Sequence, residues 1–274
     1  MFNFKKKKSW LRFYSLDPNV AELYPIEPAG KAERDFNDVG KRRVRPESGN
    51  QLSKNCPGIK PLMKSGYIMR APADFTIKTG PGIEGGVGWE VPFQFVKPST
   101  GNYNIQGWEY YINWHAPWQT EPLIPHETDN TNKPYLNSAV KVETPWRVKA
   151  SDDMLLMQMP VSYNNETRFT AAYGIVDPMY MHAIPVQLFW HILEGDTLVK
   201  AGTPLAQFIP ISRSMLHDHE IFIDEAGQLE KDIEDAFTYA NHHKFAKTDN
   251  VVAKVERIKQ LFNRFRKKNP KAKI

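Results

Sequence analysis

Proline placement limits this chain more than any other feature. Most of its 21 prolines fall between residues 61 and 212, among glycines, asparagines and short apolar runs. Proline removes a backbone donor and breaks a helix interior, so this stretch favours short strands joined by turns and loops. From residue 225 to 268 there is no proline, and after Gly227 no glycine; there the apolar period becomes helical. The expected organisation is an extended N-terminal arm over residues 1–60, a β-rich core domain over 61–223 and a helical, basic tail over 224–274.

The arm is polar and broken by Pro18, Pro25, Pro28 and Pro46, with a basic cluster from Lys41 to Arg45. Such a segment buries little by itself and is expected to lie over some other surface. Within the core, Ile184 to Ile192 is the clearest strand: Ile184, Val186, Leu188, Trp190 and Ile192 share one face, Gln187 and His191 the other. Ala139 to Lys149 alternates less cleanly, and Pro145 argues for an edge or a bulge. Met154–Met159 and Thr203–Ile211 read as two further strands. Residues 80–138 are turn-rich and aromatic and read as loops and hairpins packed by their rings, Trp108 to Trp118 among them.

Charge is divided along the chain. Residues 1–12 carry five basic groups and no acid, and residues 254–273 carry nine against one. Residues 13–253 hold 22 basic and 30 acidic groups, so the body is acidic and only the ends are basic. A protein that reads nucleic acid usually carries its positive charge on the docking fold. Charge confined to the ends points to tethering on an anionic partner, with plain solvation as the alternative. The last helix carries an apolar stripe, Val251, Val255, Ile258, Leu261, Phe262 and Phe265, with Lys254, Arg257, Arg264, Arg266, Lys267 and Lys268 around it. Packing on its own domain or a symmetry mate, a partner helix and an anionic surface all fit that pattern.

Several chemistries find little support. The single cysteine, Cys56, excludes an internal disulfide framework and a thiolate zinc cluster, and it has no histidine near it in sequence. No apolar run reaches the roughly 20 residues of a membrane span, and the lysines of the N-terminus precede no apolar stretch. Gly80 to Gly88 lacks the lysine and helix start of a phosphate loop. The one metal candidate is His217 and His219, expected on one strand face with Asp218 and Glu220 opposite; no pattern places a third ligand, and no cofactor is named.

The segment Tyr173-Gly-Ile-Val-Asp-Pro-Met-Tyr180, then a long strand, then Ala201-Gly-Thr-Pro-Leu-Ala-Gln207, resembles the dUTPase and dCTP-deaminase superfamily over about residues 139–212. The resemblance implies a mainly β fold of β-clip type, a distorted β-barrel, here with the N-terminal arm and a C-terminal helical pair added. It also implies Asp177 as general base, Tyr180 as the platform for a sugar ring, and Asp74, Gly174 and Gln207 around the ligand. A carboxylate serves as base only when oriented beside its water; the alternative is that Asp177 simply initiates a turn before Pro178. The family's phosphate-gripping Arg-Ser stretch is replaced by Met159 to Arg168, and no glycine-rich closing arm follows Ile211. Asn55 to Lys60, Ser65 to Asp74 and Thr144-Pro-Trp146 also resemble an uncharacterised family of tailed phages and bacteria.

Two functions follow as expectations. The first is a non-catalytic structural or interaction protein of phage origin, in the virion or the host cytoplasm. Its partner would be a protein or further copies of itself, trimers being the habit of the dUTPase relatives, with nucleic acid reached through the basic ends. The second is an enzyme acting on a nucleotide or other small molecule through Asp177, with a histidine-liganded metal enzyme as the remoter variant.

Overall fold

The computed structural model describes residues 8–16, 18–34, 58–80, 93–96, 112–115, 117–120, 136, 139–217, 220–221, 223, 225–242 and 260. The chain divides into two compact units, Met1–Asp218 and His219–Ile274. The protein is mainly β, with 41% strand against 18% helix among the described residues. Its strands are β1 (Leu11–Ser15), β2 (Glu27–Pro28), β3 (Tyr67–Arg70), β4 (Phe75–Thr79), β5 (Phe93–Val96), β6 (Ile112–His115) and β7 (Ala139–Val142). They continue with β8 (Trp146–Ala150), β9 (Met154–Met159), β10 (Phe169–Ala171), β11 (Gly174–Val176), β12 (Val186–Trp190), β13 (Gly195–Val199) and β14 (Pro204–Ser212).

Among the described residues these strands form four open sheets, ordered β11-β9-β14-β3-β2, β10-β12-β7-β6, β13-β4-β5 and β1-β8, with every pairing antiparallel. No closed barrel is formed among the described residues. The chain changes sheet at Pro145. Residues 139–149, read above as one interrupted strand, are two strands in different sheets: β7 pairs with β6 and β12, and β8 with β1. Pro145 sits at the corner, its carbonyl accepting from Leu16 N, while Thr144 Oγ1 donates to the Ile184 carbonyl at 2.7 Å. A ring without an N–H cannot continue the ladder, so the strand ends there.

The alternation of β12 matches its burial, with Val186, Leu188 and Trp190 inside. These three join Phe75, Ile77, Val140, Leu156, Phe208 and others in one apolar core. Trp190 stacks on Phe169 with ring centroids 5.9 Å apart.

The described part of the N-terminal arm lies on the chain's own β core. β1 runs antiparallel to β8, and Phe13 meets Tyr67 edge-on at 5.2 Å. β2 adds to the edge of the five-stranded sheet beside β3, where Arg70 forms an ion pair with Glu27. In the second unit, Gln228–His242 is helical, as the loss of proline and glycine predicts. The second helix of the expected pair falls outside the described residues, apart from Gln260. No described helix is long and apolar enough to cross a membrane.

Candidate functional site

The five-stranded sheet positions Gly174, Asp177, Tyr180 and Gln207 of the residues singled out from sequence. Its inner face carries Val176, Leu156 and Phe208 into the core. Because side chains alternate, the ladder register places Ile175, Met157 and Ile209 together on the outer face, and Gln207 beside Ile68 further along it.

Asp177 closes the strand β11. Its carbonyl accepts from Tyr180 N at 3.0 Å and Met181 N at 2.9 Å, and its Oδ1 accepts from Met179 N at 3.0 Å. This is the turn that a short carboxylate before proline favours. Arg213, at the end of β14, then closes on both carboxylate oxygens: Nη1 to Oδ2 and Nη2 to Oδ1, each 2.8 Å. Arg213 is itself held, by its N–H to the Asp153 carbonyl at 2.7 Å and its Nε to the Asp152 carbonyl at 3.0 Å. The Arg213 hydrogen bonds, helped by the Met179 N–H, hold the Asp177 carboxyl below its ordinary value, while Asp177 raises Arg213. A carboxylate so stabilised is a weak base.

The surroundings of Asp177 are open. Tyr180 is 84% exposed, and a Cβ built on Gly174 would meet nothing within 4 Å. Tyr173, Ile175, Met179 and Met181 are also exposed, as are Met215 and Leu216 just beyond Arg213. Asp177, Tyr180 and Gly174 thus share one surface turn, set among apolar side chains.

Asp74 and Gln207 stand elsewhere, in structural roles. Asp74 Oδ1 accepts from Ala201 N at 2.7 Å, tying the start of β4 to the Gly202 turn, where φ is +82°. Gln207 is fully buried and uses both ends of its amide. Oε1 accepts from Ser162 N at 3.1 Å and Ser162 Oγ at 2.8 Å; Nε2 donates to the carbonyls of Leu62 at 2.9 Å and Ser65 at 2.7 Å. With its bonding capacity taken up, it has none to spare for a ligand.

Arg34, which no sequence pattern marks, completes this knot. It is buried and donates to backbone carbonyls: Nε to Ser162 at 2.9 Å, Nη1 to Ala29 at 2.7 Å and Ala32 at 3.3 Å, and Nη2 to Met63 at 3.1 Å. Burial lowers its pKa, with Glu27 acting the other way. Ser162 is therefore fixed through its N–H, hydroxyl and carbonyl, and the next residue, Tyr163, holds a left-handed φ of 56°.

That loop borders a shallow cleft of about 130 Å³ between Pro160, Asn164, Glu166, Thr170 and Leu205. Glu166 receives Arg168 N, Nε and Nη2 at 2.6–2.9 Å, and Arg168 Nη1 reaches the Leu198 carbonyl at 2.6 Å. Burial pushes the Glu166 carboxyl up, but the several Arg168 bonds together outweigh it, and the net shift is downward. Nearby, His191 Nε2 lies 2.9 Å from Thr170 Oγ1, and burial lowers its pKa against the pull of Glu166. The cleft is smaller than the roughly 300 Å³ at the lower end of ligand pockets.

The strand expected at His217 is not formed. Ser214–His217 is a helical turn, so His217 does not lie on a strand; His219 falls outside the described residues. The chain leaves the ladder at Ser212, and with it the two-residue alternation that would have aligned the histidines. Among the described residues no group of three or more histidine, cysteine, aspartate or glutamate side chains is placed to hold a metal ion. Lys254, Arg257, Arg264, Arg266, Lys267 and Lys268 also lie outside the described residues. No family model matches the chain, and no curated protein matches its sequence.

Proposed function

We propose that this chain is a non-catalytic structural or interaction protein that uses a β-clip-like core as a platform for docking. One observation carries the reading: the carboxylate expected to act as base is closed by Arg213 and ringed by exposed apolar side chains. A hydrolytic site needs a free, oriented carboxylate and donors for the substrate's charge. Large apolar side chains gathered at a surface turn instead suit contact with another macromolecule. The basic residues of the C-terminal stretch, Lys254 to Lys268, would add an electrostatic tether to an anionic partner. A setting in a phage virion or infected cytoplasm accords with the sequence resemblance.

The test is a thermal-shift and turnover screen of the full chain against deoxynucleoside triphosphates and divalent metals, run beside Asp177→Asn. The expected result is no turnover and no nucleotide-dependent rise in melting temperature for either protein. A rise with a deoxynucleotide that disappears in Asp177→Asn would establish the nucleotide enzyme instead.

A further inference from the structure

We infer that the partner of the open sheet face is a second copy of this chain, joined edge to edge through β11. The inference rests on the reading of this face as a docking surface and adds the identity of its occupant.

Among the described residues β11 is the outer strand of the five-stranded sheet, paired only with β9. Edges in β proteins are normally guarded by charge or proline. Here β2 carries Glu27 and Pro28, β13 carries Asp196, and β1 carries exposed Arg12. Tyr173-Gly-Ile-Val176 has neither charge nor proline; the outer strands β5 and β10 share that lack, but Phe169 and Ala171 of β10 are buried whereas Tyr173 and Ile175 are exposed. The next residue, Asp177, is paired with Arg213.

The strand is also complementary to itself. An antiparallel pair centred on Gly174 sets Tyr173 opposite Ile175 of the second copy, and the reverse, which is the favoured pairing of an aromatic with a β-branched side chain. Gly174 then faces Gly174, with no side chain on either copy at the centre of the pair. Such a contact is isologous and closes as a dimer.

Area supports the same occupant. Tyr173, Ile175, Met179, Tyr180, Met181 and Met215 are between 41% and 84% exposed. Tyr180 lies within electrostatic reach of Arg213, which holds Asp177, so the turn and the segment after Arg213 are adjacent. Together these six side chains offer on the order of 700 Å² a side, near the ~800 Å² per partner of a standard interface.

The experiment is sedimentation velocity on the full chain, with Ile175→Lys and Tyr173→Lys, and circular dichroism to confirm folding. Wild type should sediment with the mass of two chains and each variant with the mass of one. As a second test, Gly174→Cys in a Cys56→Ser background should give a disulfide-linked dimer on mild oxidation, while exposed Trp118→Cys should not. Wild type at the mass of one chain throughout the micromolar range overturns the inference, as does a dimer unaffected by either lysine. Neither outcome bears on the nucleotide screen, so failure here is distinguishable from failure of the proposed function.

Discussion

The two ends of the five-stranded sheet's outer face make an instructive pair. At the β3 end the face is roofed by residues 27–34, the helix Ile59–Lys64 and the Ser162 loop, with Gln207 and Ile68 fully buried beneath. At the β11 end the same face is open, with Ile175 half-exposed and one ion pair at the rim. Both ends contain an arginine linking distant segments. Arg34 does so in the dry, to carbonyls whose hydrogen bonds water cannot replace; Arg213 does so at the surface, where solvent competes. The same chemistry therefore holds the fold at one end and orients a turn at the other.

Substitutions should separate the two ends. The largest effect is expected for Gly66→Ala: Gly66 has φ +74°, and an added Cβ would overlap the Phe208 carbonyl. A loss above ~3 kcal/mol is expected from backbone strain and displacement of β14, read from the denaturant midpoint. Next is Gln207→Leu, which strips the buried Ser162 N–H and hydroxyl of their acceptor, takes the amide donor from the Ser65 carbonyl and one of two donors from the Leu62 carbonyl, and should cost roughly 3 kcal/mol. Arg34→Met should follow at about 2 kcal/mol, with residues 29–34 losing hydrogen-exchange protection before the core does.

Acid should weaken the fold through groups whose folded pKa lies below the unfolded one. In such a window the unfolded chain binds more protons, so stability falls as pH falls. His191 should contribute first, from its ordinary value of 6.5 downward. Glu166, lowered from 4.5, contributes stability above its unfolded pKa that is lost as pH drops through the folded value. Unfolding of Glu166→Gln followed across pH should be flatter in that lower window and unchanged near neutrality. The smallest effect is expected at the open end: Asp177→Asn should leave the melting temperature nearly in place, since partly exposed pairs contribute little. A collapse of Asp177→Asn comparable to Gln207→Leu would erase the distinction between the ends.

Much of the framework was readable from sequence because it depends on near neighbours. The alternation of Val186, Leu188 and Trp190 marks β12, and residues 154–159 and 203–211 coincide with β9 and nearly all of β14. The turn at Asp177 was legible for the same reason, since Asp-Pro carries its own turn preference. Pro145 signalled an interruption but not a change of sheet, because period alone does not say which strand lies alongside.

The resemblance grouped Asp74, Gly174, Asp177, Tyr180 and Gln207 as one ligand site, whereas the structure gives Asp74 and Gln207 duties within the scaffold. Nothing local announced Arg34, Ser162 or Arg213. Their partners lie far along the chain: Arg34 and Ser162 are 128 residues apart, Ser162 and Gln207 45, Asp177 and Arg213 36.

The sequence by itself determined that the protein is mainly β, where several of its strands and turns begin and end, and that its ends are basic and its body acidic. These follow from backbone sterics, side-chain alternation and composition, which act within a few residues. Only the tertiary structure decided which end of the sheet is roofed, which carboxylate is closed by an arginine and where apolar side chains stay exposed. Those outcomes depend on which distant segments exclude water from one another, and burial of that kind is a property of the assembled fold.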